Sequence, residues 1–265
     1  MGSPSSATPA PEVRSWAGAR RWLLAGLLLQ TAAHVGYGWR HYTSLNSLLF
    51  VDLGLEESLA RAVELVLLGV LGAAALSLLL RPRAWACWVL AAGFLVEASS
   101  KTLIGGSAYA ELSLASQAVR WLSPLALGAL LGSRAGLARP LLRLGISATF
   151  FAHGWKAFQG NPAFLDLILG SAQRWTSASP SEAAAADLLR LIGLMDMALA
   201  VGLWGASWRG LAAWAGLWGL ITACSRTTAL GPSFADQTLL RALNAFAPWA
   251  LWCLWQNAPR ERLRP

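Results

Sequence analysis

Two histidines occupy matching places in the two halves of the chain, each within an apolar stretch. Gly26 to His34 spans the same distance as Gly145 to His153, and an alanine precedes each histidine. Two histidines on equivalent helices could ligate a haem iron axially. They could also donate hydrogen bonds to a quinone carbonyl or relay a proton, because imidazole gains and loses a proton near neutral pH. For either histidine, a hydrogen-bonded core residue is the alternative interpretation.

Further ionisable residues interrupt the same apolar stretches. Such residues are costly inside a membrane and tend to mark functional sites. Together with the two histidines, Lys156, Asp196 and Glu64 are the candidate catalytic residues, and Lys101 and Arg226 are candidates for holding a ligand. No spacing of His, Cys, Asp or Glu resembles a zinc ligand set, so no metal site is predicted.

Three other residues in this polar layer have simpler explanations. Glu97 and Lys101 are spaced i, i+4 and can pair with each other on one helix face. Arg120 and Arg241 enter apolar stretches near their starts and can extend to the membrane interface.

The composition indicates that lipid covers part of this chain. Of its 265 residues, 56% are hydrophobic and only 13% are charged, whereas soluble domains carry roughly 25% charged residues. The formal net charge is +8, but the basic residues lie between apolar runs rather than among exposed aromatic residues. This pattern follows the positive-inside rule and argues against a nucleic-acid partner.

Apolar runs long enough to cross a bilayer predict an all-α membrane protein with about eight transmembrane helices. A spanning helix needs roughly 20 mainly apolar residues, and tilt or local thinning accommodates shorter ones. The short apolar segment Phe164–Gly170 is predicted to be interfacial or re-entrant. The predicted spans are Trp22–Gly38, Ala60–Leu80, Ala84–Leu103, Ser116–Leu131, Leu141–Phe158, Asp187–Ala206, Gly210–Thr227 and Leu239–Trp255.

The distribution of Lys and Arg places both termini in the cytoplasm. With the N-terminal side inside, that side holds twelve of the twenty-one Lys and Arg residues, mostly in the tails and in tight connections. Positive charge in short loops favours the cytoplasmic side. We therefore expect a bacterial inner-membrane location, with the longer outer connections carrying the function.

An internal repeat organises the chain into two four-helix units. Trp88, Gly93, Ser99 and Thr102 match Trp214, Gly219, Ser225 and Thr228 at one shared offset, and Pro124-Leu-Ala-Leu matches Pro248-Trp-Ala-Leu. Four helices per unit make this a parallel repeat. The predicted organisation is a disordered cytoplasmic tail at 1–19, units at 20–133 and 140–257, and a basic cytoplasmic tail at 258–265.

The stretch from Leu142 to Lys156 resembles the DoxX/DoxD-like integral membrane proteins. That family typically opens its first helix with an arginine and a glycine, then a His-Gly followed shortly by a lysine. Arg143, Gly145, His153, Gly154 and Lys156 fit this pattern, and Asp196 with Gly202 looks like the acidic residue and glycine of the family's second helix. In the first half, Leu24 and Val35 replace the arginine and the glycine, so the second half matches better.

The resemblance implies four-helix units associated with membrane redox chemistry. We expect a DoxX-like subunit that holds quinone or haem in an outer-leaflet polar layer and meets a redox partner protein on the outer face. Arg143 joins the candidate ligand-holding residues on the resemblance alone. The alternatives are a non-catalytic assembly or anchoring protein and a transporter of protons or small solutes.

Overall fold

The computed structural model describes residues 11–105, 108–132, 134–177, 180–205 and 207–256, and all regular secondary structure in these residues is helical. Nine helices of fourteen or more residues occur in this described part. They are α1 (Pro11–Arg40), α2 (Glu57–Leu80), α3 (Ala84–Leu103), α4 (Ala118–Leu131), α5 (Ala138–Phe158), α6 (Pro162–Thr176), α7 (Glu182–Gly205), α8 (Arg209–Leu230) and α9 (Ala242–Trp255).

Short helical turns connect several of these helices. Most lie at the end of the bundle where α1, α3, α5 and α8 end, and they replace open loops there. They comprise Ser44–Ser47, Leu48–Asp52, Ala110–Leu112, Ser113–Ser116, Ala135–Leu137, Pro232–Phe234 and Ala235–Leu239.

Four helices form the centre of the bundle. Helix α1 packs along α9, α4 packs along α5, and the two pairs meet in one core. Each central helix contributes fully buried aliphatic side chains, which include Leu27, Leu127, Ile146 and Leu243. Helix α2 flanks α1 and α3, α7 flanks α5, and α8 lies between α9 and α6. This apolar packing leaves the ends of the central helices to carry polar groups.

Two of the flanking helices expose large apolar side chains outward. Val66 on α2 is 67% exposed and Val201 on α7 is 65% exposed. Three helical stretches in the described residues, 57–80, 110–131 and 182–205, are long and apolar enough to cross a membrane. The other predicted spans lie in helices that are short, such as α9, or that carry charged residues near one end, such as α3 and α5.

At the opposite end of the bundle, arginine side chains donate hydrogen bonds to the last carbonyls of neighbouring helices. Carbonyls in the last turn of a helix lack intrahelical partners and carry partial negative charge. Arginines from neighbouring helices donate to these carbonyls: Arg20 to Leu130, Arg139 to Leu254, Arg143 to Leu203 and Trp204, and Arg209 to Trp255 and Gln256.

One prediction about a segment is wrong. Helix α1 begins at Pro11, so residues 11–19 are helical rather than a disordered tail. Residues 1–10 and the basic tail 258–265 lie outside the described residues. The segment Phe164–Gly170 is the middle of the fifteen-residue helix α6, which begins after an Asn161 side chain that accepts a hydrogen bond from the Ala163 N–H. Asn161 as N-cap and Pro162 at the first position favour a helix start here.

Candidate functional site

A polar cavity of about 600 Å³ opens at the end of the bundle where α1, α3, α5 and α8 end and where α4, α6 and α9 begin. Its size is typical of small-molecule sites. Side chains from both halves of the chain line it. The ionisable and amide residues among them are His34, Glu97, Lys101, Gln117, Arg120, His153, Lys156, Asn161, Arg226, Gln237, Arg241 and Asn244.

His34 lies on one wall of this cavity. It is 5% exposed, its ring lies 5.7 Å from the ring of Phe94, and its Nε2 lies 4.0 Å from Oε1 of Glu97. That gap is too long for a hydrogen bond. Neither His34 Nε2 nor Glu97 Oε1 has a hydrogen-bond partner in the described residues.

His153 lies on another wall, against the first turn of α6. Its ring centroid lies 5.7 Å from that of Phe164. The guanidinium carbon of Arg226 lies 5.7 Å from the same Phe164 ring. Phe164 therefore contacts both a histidine and an arginine of the cavity lining.

Three further cations reach the cavity from helix ends. Arg120 donates a 2.7 Å hydrogen bond to Oε1 of Gln117, and its guanidinium carbon lies 5.7 Å from the Phe94 ring. Arg241 donates a 2.6 Å hydrogen bond to the Gln237 carbonyl. Lys156 is 8% exposed, and its Nζ lies 3.3 Å from Oγ of Ser116. Each cation is thus fixed by a neutral partner.

Positive charge dominates the cavity. Five cations line it, namely Lys101, Arg120, Lys156, Arg226 and Arg241, while Glu97 is the one carboxylate among its described lining residues. None of these five cations lies within 4.0 Å of a carboxylate in the part of the chain that the structure describes. Unpaired charge is expensive where it is removed from water; Lys156 is buried, whereas Arg120, Arg226 and Arg241 are half-buried and Lys101 is exposed.

Several buried polar atoms of the lining also lack a partner among the described residues. Besides His34 Nε2 and Glu97 Oε1, they are Thr43 Oγ1, Gln117 Nε2 and Arg120 Nε. The large majority of buried polar groups in folded proteins are hydrogen-bonded. Five of the twelve such atoms in the described residues line this one cavity, which is what a site completed by a polar ligand or by water would show.

Three of the candidate residues lie outside this cavity. Glu64 is buried at the start of α2, where it accepts hydrogen bonds from the Thr43 N–H and from Arg61, whose guanidinium also donates to the Gly38 carbonyl at the end of α1. Asp196 faces α8 and accepts a 2.6 Å hydrogen bond from Nε1 of Trp218. Arg143 lies at the opposite end of the bundle, bonded to carbonyls of α7.

One of the simpler explanations from sequence is wrong. Glu97 approaches His34 rather than Lys101, so the i, i+4 pair is not formed in the described structure. Arg120 and Arg241 both line the cavity. Arg120 precedes Pro124 by four residues and Arg241 precedes Pro248 by seven, and a basic residue shortly before the proline in each half is the signal that sequence analysis could have used.

The remaining candidate residues converge. His34, His153, Lys101, Lys156 and Arg226 all line the one cavity. Within the described residues, no three side chains of His, Cys, Asp or Glu come close enough to hold a metal ion.

Comparison of the chain with protein-family models, with curated proteins and with solved structures gave no match. The resemblance to DoxX/DoxD-like proteins therefore stays a prediction.

Proposed function

We propose that the chain is an inner-membrane protein that crosses the bilayer eight times, with both termini in the cytoplasm. The outward-facing apolar side chains of α2 and α7, such as Val66 and Val201, support this proposal, because contiguous apolar surface of this kind suits lipid. The inner end would be the one at which Arg20, Arg139 and Arg209 bond helix carbonyls. The cavity would then open toward the outer face.

The bundle would consist of two tandem four-helix units related by a pseudo-twofold axis along the membrane normal. Matching contacts support this arrangement. A Cβ placed on Gly26 of α1 would lie 2.7 Å from Phe246 of α9, and one on Gly145 of α5 would lie 3.2 Å from Leu122 of α4. Each unit's first helix thus packs at its glycine against the other unit's last helix.

A second pair of contacts lies within the units. Arg20 of α1 donates to the Leu130 carbonyl of α4, and Arg139 of α5 donates to the Leu254 carbonyl of α9. Helices α4 and α9 also share an internal proline, Pro124 or Pro248. Matching contacts on matching residues favour duplication over chance similarity of apolar sequence.

The cavity would hold the head group of a quinone, as part of a membrane redox system. The observation that carries this proposal is that His34 and His153, which come from matching positions of the two halves, line one cavity. A quinone head group is small, planar and rich in acceptors, and its carbonyl oxygens accept hydrogen bonds. His34 Nε2 and Arg120 Nε are buried and have no partner in the part of the chain that the structure describes, and they can serve as donors when the imidazole nitrogen carries its proton.

Haem fits this lining less well. A porphyrin is a broad apolar ring, whereas five cations and several amides line the cavity, and burying charge against an apolar group is unfavourable. His34 Nε2, which would have to bind iron, faces Glu97 at 4.0 Å. We therefore rank quinone above haem.

The alternative functions lack an equally specific observation. A transporter needs a path through the bundle, and buried side chains such as Leu27, Ile146 and Leu243 pack the core between the cavity and the opposite end. An assembly protein would need no cavity with partnerless donors. Both remain alternatives to the redox proposal.

Spectroscopy combined with extraction tests the redox proposal. The detergent-purified protein would be extracted with organic solvent for quinone, and its absorption spectrum would be recorded before and after dithionite reduction. We expect quinone near one equivalent in the wild type and a strong loss in His34→Ala and His153→Ala. His41→Ala is the matched control, because His41 is exposed and lies outside the cavity lining.

A colourless wild-type protein without extractable quinone contradicts the redox proposal. A Soret band that disappears in both histidine variants would favour haem instead.

A further inference from the structure

We propose that the cavity binds a small oxyanion, with Arg120, Arg241 and Lys156 as its principal ligands. The proposal concerns the ligand class of the same cavity, so it rests on the cavity being the binding site, but it does not require quinone or any redox step. The chemistry is that of a phosphate, sulfate or carboxylate group. Its source is either a free anion or the phosphate of an anionic lipid.

The charges that line the cavity do not balance. With neutral histidines, five cations and one carboxylate line the cavity. The four ion pairs found in the described residues include none of the five cations. Like charges gathered around one space repel one another, and solvent screens this repulsion only weakly where the groups are buried. An anion in the cavity removes the repulsion, whereas a neutral ligand does not.

Neutral groups fix the two arginines Arg120 and Arg241 and leave most of their N–H donors free. Arg120 is fixed by Gln117 and the Phe94 ring, and Arg241 is fixed by the Gln237 carbonyl. An arginine has five N–H donors, so each of these two keeps several for a ligand. Arg120 Nε is buried and lacks any partner in the described structure. Rigid arginines with free donors match the oxygens of phosphate and carboxylate groups.

Lys156 is a buried lysine without a carboxylate partner in the described residues. Lys156 is 8% exposed, and the hydroxyl of Ser116, 3.3 Å from its Nζ, is its one hydrogen-bond partner in the described residues. Lysine is almost never buried to this degree unless it is paired. Because the Ser116 hydroxyl carries no charge, two of the three ammonium donors and the whole charge remain for a ligand.

The position of the cavity leaves two sources for the oxyanion. Helix ends and short turns surround it, and Lys101 at its edge is exposed. A free anion could enter from water at this end. If the helices cross the membrane as proposed, a lipid head group would lie at the same depth and could place its phosphate in the cavity.

Titration with inorganic phosphate tests the free-anion source. The detergent-purified wild type would be titrated calorimetrically with phosphate and with sulfate at constant ionic strength. Arg120→Gln and Arg241→Gln should each weaken binding about tenfold or more, since charge-assisted hydrogen bonds contribute strongly. Arg190→Gln is the matched control: it removes one positive charge at an exposed position paired with Asp187, and its affinity should stay within about twofold of the wild type.

Native mass spectrometry tests the lipid source. Delipidated protein would be incubated with vesicles of phosphatidylglycerol or of phosphatidylcholine. Retention of phosphatidylglycerol by the wild type but not by Arg120→Gln, without calorimetric phosphate binding, would assign the oxyanion to lipid. If an arginine variant does not fold, Lys156→Gln and the wild-type titrations decide the question.

A wild type that binds neither phosphate, sulfate nor phosphatidylglycerol overturns this proposal, and so does binding that the cavity variants leave unchanged. Oxyanion binding in a protein without quinone supports this proposal and contradicts the redox proposal. Quinone without oxyanion binding does the reverse.

Discussion

Nε2 of His34 and Oε1 of Glu97 face each other at 4.0 Å across the wall of the cavity, and neither atom has a hydrogen-bond partner in the described structure. A histidine and a carboxylate at hydrogen-bonding distance would satisfy each other as donor and acceptor. At this separation each atom keeps its hydrogen-bonding capacity for a ligand or water in the cavity that both residues line. The pair therefore belongs to the ligand site rather than to the packing of α1 on α3.

Glu97→Gln should strengthen oxyanion binding. The substitution removes the one carboxylate among the described lining residues, and a unit charge several ångströms from a bound anion contributes about 1–2 kcal/mol, or roughly five- to thirtyfold in affinity. Calorimetric titration with phosphate measures the change. Asp187→Asn, at an exposed position outside the cavity, is the control, and an equal gain in both variants would point to a general charge effect.

Arg143→Gln should lower stability and leave ligand binding unchanged. Arg143 bonds the Leu203 and Trp204 carbonyls at the end of α7, far from the cavity, and such charge-assisted bonds contribute about 1–3 kcal/mol. A thermal-unfolding scan should show a loss of several degrees. Arg83→Gln, at an exposed position near the same end of the bundle, should change little. Loss of quinone or phosphate binding in Arg143→Gln would instead support the ligand-holding role of Arg143 that the family resemblance implies.

Asp196→Asn should be nearly neutral, whereas Asp196→Ala should destabilise the protein by about 1–3 kcal/mol. An asparagine side chain still accepts the hydrogen bond from Trp218 Nε1, and alanine leaves that half-buried donor unpaired. Thermal unfolding distinguishes the two variants. The transporter alternative instead makes solute or proton flux in liposomes depend on this carboxylate, so abolished flux in a stable Asp196→Asn protein would favour it.

Gly193→Ala should separate α5 from α7 and destabilise the bundle by about 1–3 kcal/mol. A Cβ on Gly193 would lie 2.6 Å from the Gly154 carbonyl oxygen, so backbone meets backbone at this crossing. Gly69→Ala on α2 is the control, because a Cβ there meets nothing within 4 Å and alanine favours a helix. Equal unfolding temperatures for the two variants would contradict the close approach.

Cysteine labelling tests the orientation in the membrane. A cysteine at Glu182, exposed at the start of α7, should react with an impermeant maleimide in intact cells, whereas one at Arg83 should react only after the membrane is opened. The unmodified chain supplies the background, since Cys87 and Cys253 are buried and Cys224 is half-buried. The opposite labelling pattern would invert the topology and place the cavity on the cytoplasmic side.

Most of the long helices, and the positions of the polar residues along them, could be predicted from the sequence alone. Apolar runs bounded by arginines predicted the long helices, and alternating helix direction placed His34, Lys101, Lys156 and Arg226 at one end of the bundle. Depth follows from position along a helix, because each residue advances the chain by a constant 1.5 Å.

Which of these residues share a site depends on how the helices pack, and the sequence does not show it. Successive residues on a helix point about 100° apart, so His153 lines the cavity while Gly154, the next residue, packs against α7. Asp196 and Glu64 lie at depths similar to those of the histidines, but they face Trp218 and Arg61. Rotation about each helix axis depends on which neighbours pack against it, and that information resides in contacts between distant parts of the chain.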